Sequence, residues 1–272
     1  MRLHVRARQH RQVSTGRSHG LLKAGSTFFE DRGSTVAIWV GTSGYNYPEW
    51  RGTFYPEKFP TAKMLPYYAQ RFSTVEINYT FYRMPNAKTL STWNAETPAG
   101  FAFALKASRR ITHDARLKDV DDSLRYFVDT ARTLGPKLGP LLFQLPPYFK
   151  KDLGRLGDFL VLLPPGVRGV FEFRHDSWFD DEVYGLLETR NAALCIADTE
   201  KGTTPSVATA DFGYFRLRDE GYSKEDLNEW VQTVRQLGAK WKDTFIYFKH
   251  EESGIGPALA KDFATLLDTS GL

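Results

Sequence analysis

The chain has 272 residues, 42% of them hydrophobic and 14% aromatic, enough to bury a large core, and α/β barrels of this order of length form one domain. Its single cysteine, Cys195, excludes an intrachain disulfide framework and a cysteine-rich metal site and fits the reducing cytoplasm, while no run of about 18 apolar residues is present to span a membrane. The net charge of +4 comes from residues 1–35, where seven basic residues against two acidic ones leave +5 and the remainder at −1; a basic nucleic-acid footprint over the whole body is thereby excluded.

Residues 1–35 mix Arg, His, Ser and Gly with little periodicity, the composition of a disordered basic leader. They lack the apolar stretch of a secretory signal, and their Arg-rich, acid-poor character overlaps that of a transit peptide. A start assigned too far upstream accounts for them as well as a functional arm does. From residue 36 to 272 the pattern is that of one domain. Apolar, strand-like runs lie at 36–41, 74–78, 101–107, 140–145, 169–174, 193–198, 214–217 and 244–249. Helical segments lie at 62–71, 87–95, 120–134, 153–162, 181–189, 224–237 and 257–267, and the connection 199–212 is poor in helix signals. Eight strands alternating with helices predict an α/β fold, a single (β/α)8 TIM-like barrel.

Strand residues alternate between faces, so inward positions can be read off by parity. Around Val170-Phe171-Glu172-Phe173-Arg174, the two charges share one face and the aromatics the other. A charge inside a barrel is costly unless paired or facing a solvated cavity, so Glu172 and Arg174 are read as neutralising each other or holding a ligand. The same rule turns Glu76 and Asn78, Lys106, Gln144, Asp198 and Arg216 inward, with Tyr214 and Arg218 in phase with Arg216. All fall near C-terminal strand ends, where barrel active sites lie. A shared functional pocket is expected, against the alternative of a structural polar layer.

Several stretches resemble the DUF72 (YecE-like) family: Gly41-Thr42-Ser43-Gly44-Tyr45 with Tyr47-Pro48-Glu49-Trp50, Thr74 through Tyr82, Lys106-Ala107-Ser108 followed by Ile111-Thr112-His113, Leu142 through Pro147, and Glu172 through Trp178. The resemblance covers most of the chain from Val36 onward. It implies a TIM-like barrel similar to the endonuclease IV and xylose isomerase group, and no established activity. Two rim positions depart from the family pattern. Strand seven ends Arg216-Leu217-Arg218-Asp219 in place of Arg-Leu-His-Gly, and strand eight ends Tyr247-Phe248-Lys249-His250 in place of Tyr-Phe-Asn-Asn.

The inward set offers carboxylates but no histidine at the same depth, and its cations repel a metal; no metal and no cofactor are expected. Lys106, Arg174 and Arg216 instead suit phosphate or carboxylate. Glu76, Lys106, His113, Glu172 and Asp198 are the candidate catalytic groups, with His113 placed to move protons near neutral pH. Tyr45, Asn78, Tyr82, Gln144, Arg174, Trp178 and Arg216 are the candidate substrate contacts, the aromatics by stacking on a sugar or base. Gly41-Thr42-Ser43-Gly44 is a weak phosphate-loop signal. The favoured function is an enzyme using metal-independent acid–base chemistry on an anionic small molecule, a phosphorylated sugar or nucleotide, with hydrolase, lyase and isomerase chemistry all open. The alternative is a nucleic-acid-binding or nucleic-acid-processing protein. No membrane partner is expected, and the sequence sets no oligomeric state.

Overall fold

In the computed structural model, which describes residues 27–31, 34–83, 85–200, 202–252 and 254–269, each apolar run becomes a parallel strand of one barrel. The strands are β1 (Ser34–Ser43), β2 (Thr74–Ile77), β3 (Ala102–Lys106), β4 (Leu138–Gln144), β5 (Gly169–Glu172), β6 (Ala193–Thr199), β7 (Phe212–Leu217) and β8 (Asp243–Phe248). Each pairs with its sequence neighbour, and β8 closes the ring on β1 through Ala37↔Asp243 to Thr42↔Phe248. The expected TIM-like barrel is therefore the observed fold. No helix among the described residues is long and apolar enough to cross a membrane.

The helices are α1 (Met64–Ala69), α2 (Ala87–Glu96), α3 (Asp121–Ala131), α4 (Leu153–Leu162), α5 (Asp181–Glu188), α6 (Lys224–Gly238) and α7 (Ile255–Thr269). Polar side chains start four of them by satisfying free backbone amides. Asn86 accepts from Thr89 N, Asp152 from Arg155 N and Asp180 from Val183 N, and Ser223 with Asp226 forms a reciprocal capping box. After β6 the chain makes only a two-residue antiparallel strand, Gly202–Thr203, on its way to β7.

Burial divides into two apolar layers. Large side chains such as Leu105, Phe143, Phe171, Leu194, Ile196 and Phe215 face the helices. Inside the barrel lie Ala102, Ala104, Leu142, Val170, Ala193, Cys195 and Ala197, with Trp39, Phe212, Tyr214, Phe245 and Tyr247. These aromatics fill the lower half; Trp39 stacks on Phe245 at 5.9 Å between centroids. The floor is solid, so only the upper ends of the strands are left to hold polar groups.

The wall between β1 and β2 is built differently. These strands pair only at Thr42↔Val75 and Ser43↔Glu76. Below, Tyr68 of α1 inserts its hydroxyl, accepting from Thr42 N at 2.8 Å and donating to Thr74 O at 3.0 Å. Gly41 makes room, since a Cβ there would stand 2.2 Å from Thr74 O. Lower still, a strand Thr27–Asp31 pairs antiparallel with β1, from Thr27↔Ile38 to Asp31↔Ser34. Ala37 and Ile38 already pair with β8 on one edge, so this strand takes the edge facing β2. Of the leader expected over 1–35, residues 27–31 form this strand and 34–35 begin β1; residues 1–26 and 32–33 lie outside the described residues.

Candidate active site

Arg216 reaches inward from β7 above the apolar floor and is 0% exposed. Its Nε and Nη2 donate to Glu76 Oε1 at 3.2 and 2.9 Å, and Nη1 donates to Glu172 Oε2. Tyr214 OH donates to Glu76 Oε2 at 2.6 Å, Ser43 Oγ donates to Glu76 Oε1, and Asn78 Nδ2 donates to Ser43 Oγ at 2.7 Å. On the other side Gln144 Nε2 donates to Glu172 Oε1 at 2.9 Å and Lys106 Nζ donates to Gln144 Oε1 at 2.8 Å. A continuous polar network therefore runs across the barrel from Asn78 to Lys106. Arg218 adds a second, looser cation, its Nη2 lying 3.8 Å from Glu172 Oε1 while its buried Nε has no hydrogen-bond partner among the described residues. Burial alone would raise the Glu172 carboxyl; the charge of Arg216, then that of Arg218, overcomes this and holds it at about 2.

Lys106 sits differently. It is half-buried, its one hydrogen bond goes to a neutral amide, and it has no ion pair among the described residues. Burial, then the neighbouring charge of Arg216, lowers its pKa to about 8. Its Nζ lies 4.2 Å from the centroid of the Phe81 ring, and the same ring meets His113 edge-on at 4.8 Å. His113 Nδ1 pairs with Thr112 Oγ1 at 2.9 Å, and burial, then Lys106 and Arg174, hold its pKa at about 4, so the ring is neutral at pH 7. It is carried on a π-helical turn, Arg110–Asp114, followed by left-handed residues Arg116, Leu117 and Asp119 at φ 49°, 67° and 51°. Backbone of this kind is costly and concentrates at functional loops.

The family model described as "Protein of unknown function DUF72" matches residues 39–271. The chain belongs to this family. It is 25% identical to the UPF0759 protein YunF of Bacillus subtilis, over 85% of this chain and 95% of that one. It is 30% identical to the UPF0759 protein YecE of Escherichia coli K12 over 52% of this chain and 50% of that one. A DUF72 family crystal structure from Thermotoga maritima MSB8 is 25% identical and superposes with a TM-score of 0.72, covering 85% of this chain and 99% of that chain. A second, from Enterococcus faecalis V583, is 16% identical with a TM-score of 0.73, covering 85% and 95%.

In this DUF72 barrel Glu76, Asn78, Lys106, Gln144, Glu172 and Arg216 converge, and His113 stands beside Lys106 across Phe81. Other sequence expectations need correction. Glu172 pairs with Arg216 and Arg218, not with Arg174. The strand ends at Glu172, so parity stops applying and Arg174 swings out to an exposed rim position near His113. Arg216 is not open to a substrate, because its donors are spent on Glu76 and Glu172. Asp198 has the wrong parity: Ala193, Cys195 and Ala197 face inward while Leu194 and Ile196 face the helices. Its carboxylate accepts from Thr203 Oγ1 and Tyr222 OH, both at 2.6 Å, in a separate cleft of about 130 Å³ that Asp219, Asp226 and Glu229 also line.

The aromatics divide likewise. Trp178 is 0% exposed, stacks on Phe173 at 4.6 Å and donates to Phe149 O at 2.7 Å, a core role that leaves no face for a ligand. Tyr45 is half-buried against Tyr68 with its carbonyl accepting from Tyr55 OH, away from the network. Tyr82 is 76% exposed on the turn Tyr79–Tyr82 and touches Phe81. Gly41-Thr42-Ser43-Gly44 belongs to the barrel wall and its exit: Gly44 has φ +95° and a Cβ there would strike the Tyr47 hydroxyl at 2.4 Å. Ser43 and Tyr214 belong to the site although the sequence did not single them out, and Arg218, a further cation the sequence offered beside Lys106 and Arg216, joins them. The signal for Tyr214 and Arg218 was their shared parity with Arg216; for Ser43 it is the register Ser43↔Glu76, which only pairing reveals.

Proposed function

We propose that this DUF72 chain is an enzyme whose barrel mouth binds an anionic small molecule, a phosphorylated sugar or nucleotide, and acts on it by acid–base chemistry. One observation carries the reading: the two inward carboxylates are already met by Arg216, Tyr214, Ser43 and Gln144, which leaves Lys106 without an ion pair among the described residues and Arg218 with only a 3.8 Å contact to Glu172. Cations that are partly buried at a barrel mouth favour an anion far more than surface lysines do. Lys106, at about 8, exchanges protons near physiological pH, and neutral His113 beside it can pass them on. Glu172, held at about 2, is an orienting anion and not an acid. The free, buried Cys195 is in keeping with a cytoplasmic setting.

The test is a thermal shift with inorganic phosphate at constant ionic strength. Binding stabilises the fold by mass action, and wild-type protein should rise by several degrees at saturating phosphate, given about 2–4 °C per kcal/mol for a domain of this size. Lys106→Ala and Arg218→Ala should lose that response; equal responses in all three proteins would sink the reading. A nucleic-acid role draws on exposed Tyr79 and Tyr82 beside Arg83. It predicts affinity for a single-stranded oligonucleotide that falls steeply with salt.

A further inference from the structure

We infer that Lys106 is an amine nucleophile, with His113 as its proton carrier, poised to form an imine with an aldehyde or ketone that bears a phosphate or carboxylate. This rests on the reading of the mouth as an anion site and adds the covalent step.

Two lysines of the chain illustrate why the geometry singles out one. Lys137 spends its ammonium on three acceptors, Asn94 O at 2.6 Å, Thr97 O at 2.7 Å and Thr97 Oγ1 at 3.1 Å. Burial lowers the Lys137 pKa as well, but deprotonating it would strand those acceptors, and its nitrogen is turned onto them and not toward an open mouth. Lys106 has the opposite arrangement. Gln144 Oε1 orients a single N–H, the Phe81 face lies against the amine, and no carboxylate pairs with it. Arg216 stands close enough for its charge to oppose the ammonium form. A lysine desolvated in this way, beside a second fixed cation, is the arrangement that makes the free amine available as a nucleophile. Partial exposure at the mouth lets a carbonyl carbon approach. Arg218, held to Glu172 only at 3.8 Å, is the cation of the network left to hold an anionic substituent.

The step balances without an external oxidant or reductant. The Nζ lone pair forms a bond to the carbonyl carbon as the C=O π pair moves to oxygen. One proton leaves nitrogen and one reaches that oxygen, giving the carbinolamine. The C–O bond then breaks, the hydroxyl leaving as water with the second proton that nitrogen gives up, while the nitrogen lone pair closes the C=N bond. Amine and carbonyl give imine and water. Both proton transfers need a neutral carrier within the mouth. His113 shares the Phe81 ring with Lys106, and its Nδ1 is fixed by Thr112 Oγ1, which leaves Nε2 for this traffic.

The experiment incubates the full chain at pH 8 with glyoxylate and sodium cyanoborohydride, which reduces an imine to a stable carboxymethyl-lysine, and maps the adduct by peptide mass spectrometry. Lys106 should be labelled at least about ten-fold faster than the surface lysines, because its free-amine fraction is larger, and faster than Lys137, whose nitrogen is engaged by three acceptors. Phosphate should slow labelling at Lys106 alone. Lys106→Arg should remove the fast site, and His113→Gln should slow it while leaving surface labelling unchanged. Labelling spread evenly over the lysines, or absent at Lys106, overturns the inference, and does so even if the phosphate thermal shift is intact, in which case the anion site stands without the covalent step. Fast labelling of Lys106 that phosphate does not slow would uphold the nucleophile and overturn the anion site.

Discussion

Arg216 and Lys106 are both cations inside one barrel, contributed by β7 and β3, yet their surroundings are opposite. Arg216 is met by two carboxylates, a tyrosine-bound one and a glutamine-bound one, and is fully buried. Lys106 is met by a neutral amide and an aromatic face and keeps some exposure. The first environment saturates a charge and the second leaves it in want of a partner. A buried polar network that is fully satisfied rigidifies a fold, whereas an unsatisfied cation at its edge is the place where a ligand gains most. The division of labour in the mouth follows: the centre holds the strands together, and its edge is left for the chemistry proposed above.

That contrast can be broken most directly by removing each cation. Arg216→Met leaves Glu76 and Glu172 buried without their common partner, and should cost about 3–5 kcal/mol of unfolding free energy, the usual penalty for breaking a buried pair. Lys106→Met removes a charge that burial disfavours and should leave stability at or above wild type. Urea unfolding of both variants measures the difference; similar losses would erase the distinction between centre and edge.

A second way to sharpen it is the pH dependence of stability. Glu172 at about 2 lies below its ordinary 4.5, so its contribution is complete above 4.5 and disappears as pH falls towards 2. His113 at about 4 and Lys106 at about 8 lie below their ordinary 6.5 and 10.5, so the unfolded chain binds more protons in those two windows and stability rises with pH through each. His113→Gln should flatten the segment between pH 4 and 6.5, and Lys106→Met that between 8 and 10.5. Unchanged slopes in these variants would show that neither group feels the mouth as described.

A smaller effect links the two regions. The charge of Glu172 raises the Lys106 pKa, against the lowering by burial and Arg216. Glu172→Gln should therefore move the titration of Lys106 below 8, read from the pH dependence of its reductive labelling; a shift upward would contradict the geometry. The mildest change concerns the wall. Deleting residues 1–33 removes the strand that pairs with β1 below the Tyr68 plug, whereas deleting 1–26 spares it. The longer deletion should melt a few degrees lower than the shorter, at about 2–4 °C per kcal/mol, and identical melting curves would show that the strand carries no weight.

By itself the sequence determined the barrel, because eight apolar runs alternating with capped helices leave few other ways to bury both faces of each strand. It also placed Glu76, Lys106, Gln144, Glu172 and Arg216 inside, since parity is a local property of a strand that is buried on both sides. Tertiary structure decided what parity could not reach. The inward phase of β6 was set by volume: Ala193, Cys195 and Ala197 fit the crowded interior and Leu194 and Ile196 fill the helix layer, which turned Asp198 away. Arg174 left the site because the strand stopped two residues before it, a matter of pairing with β6 and not of composition. The partner of Glu172 came from a strand 44 residues away in sequence, and the place of Ser43 came from its register with Glu76. Pairings of that range are written in the closure of the barrel, where distance along the chain no longer measures distance in space.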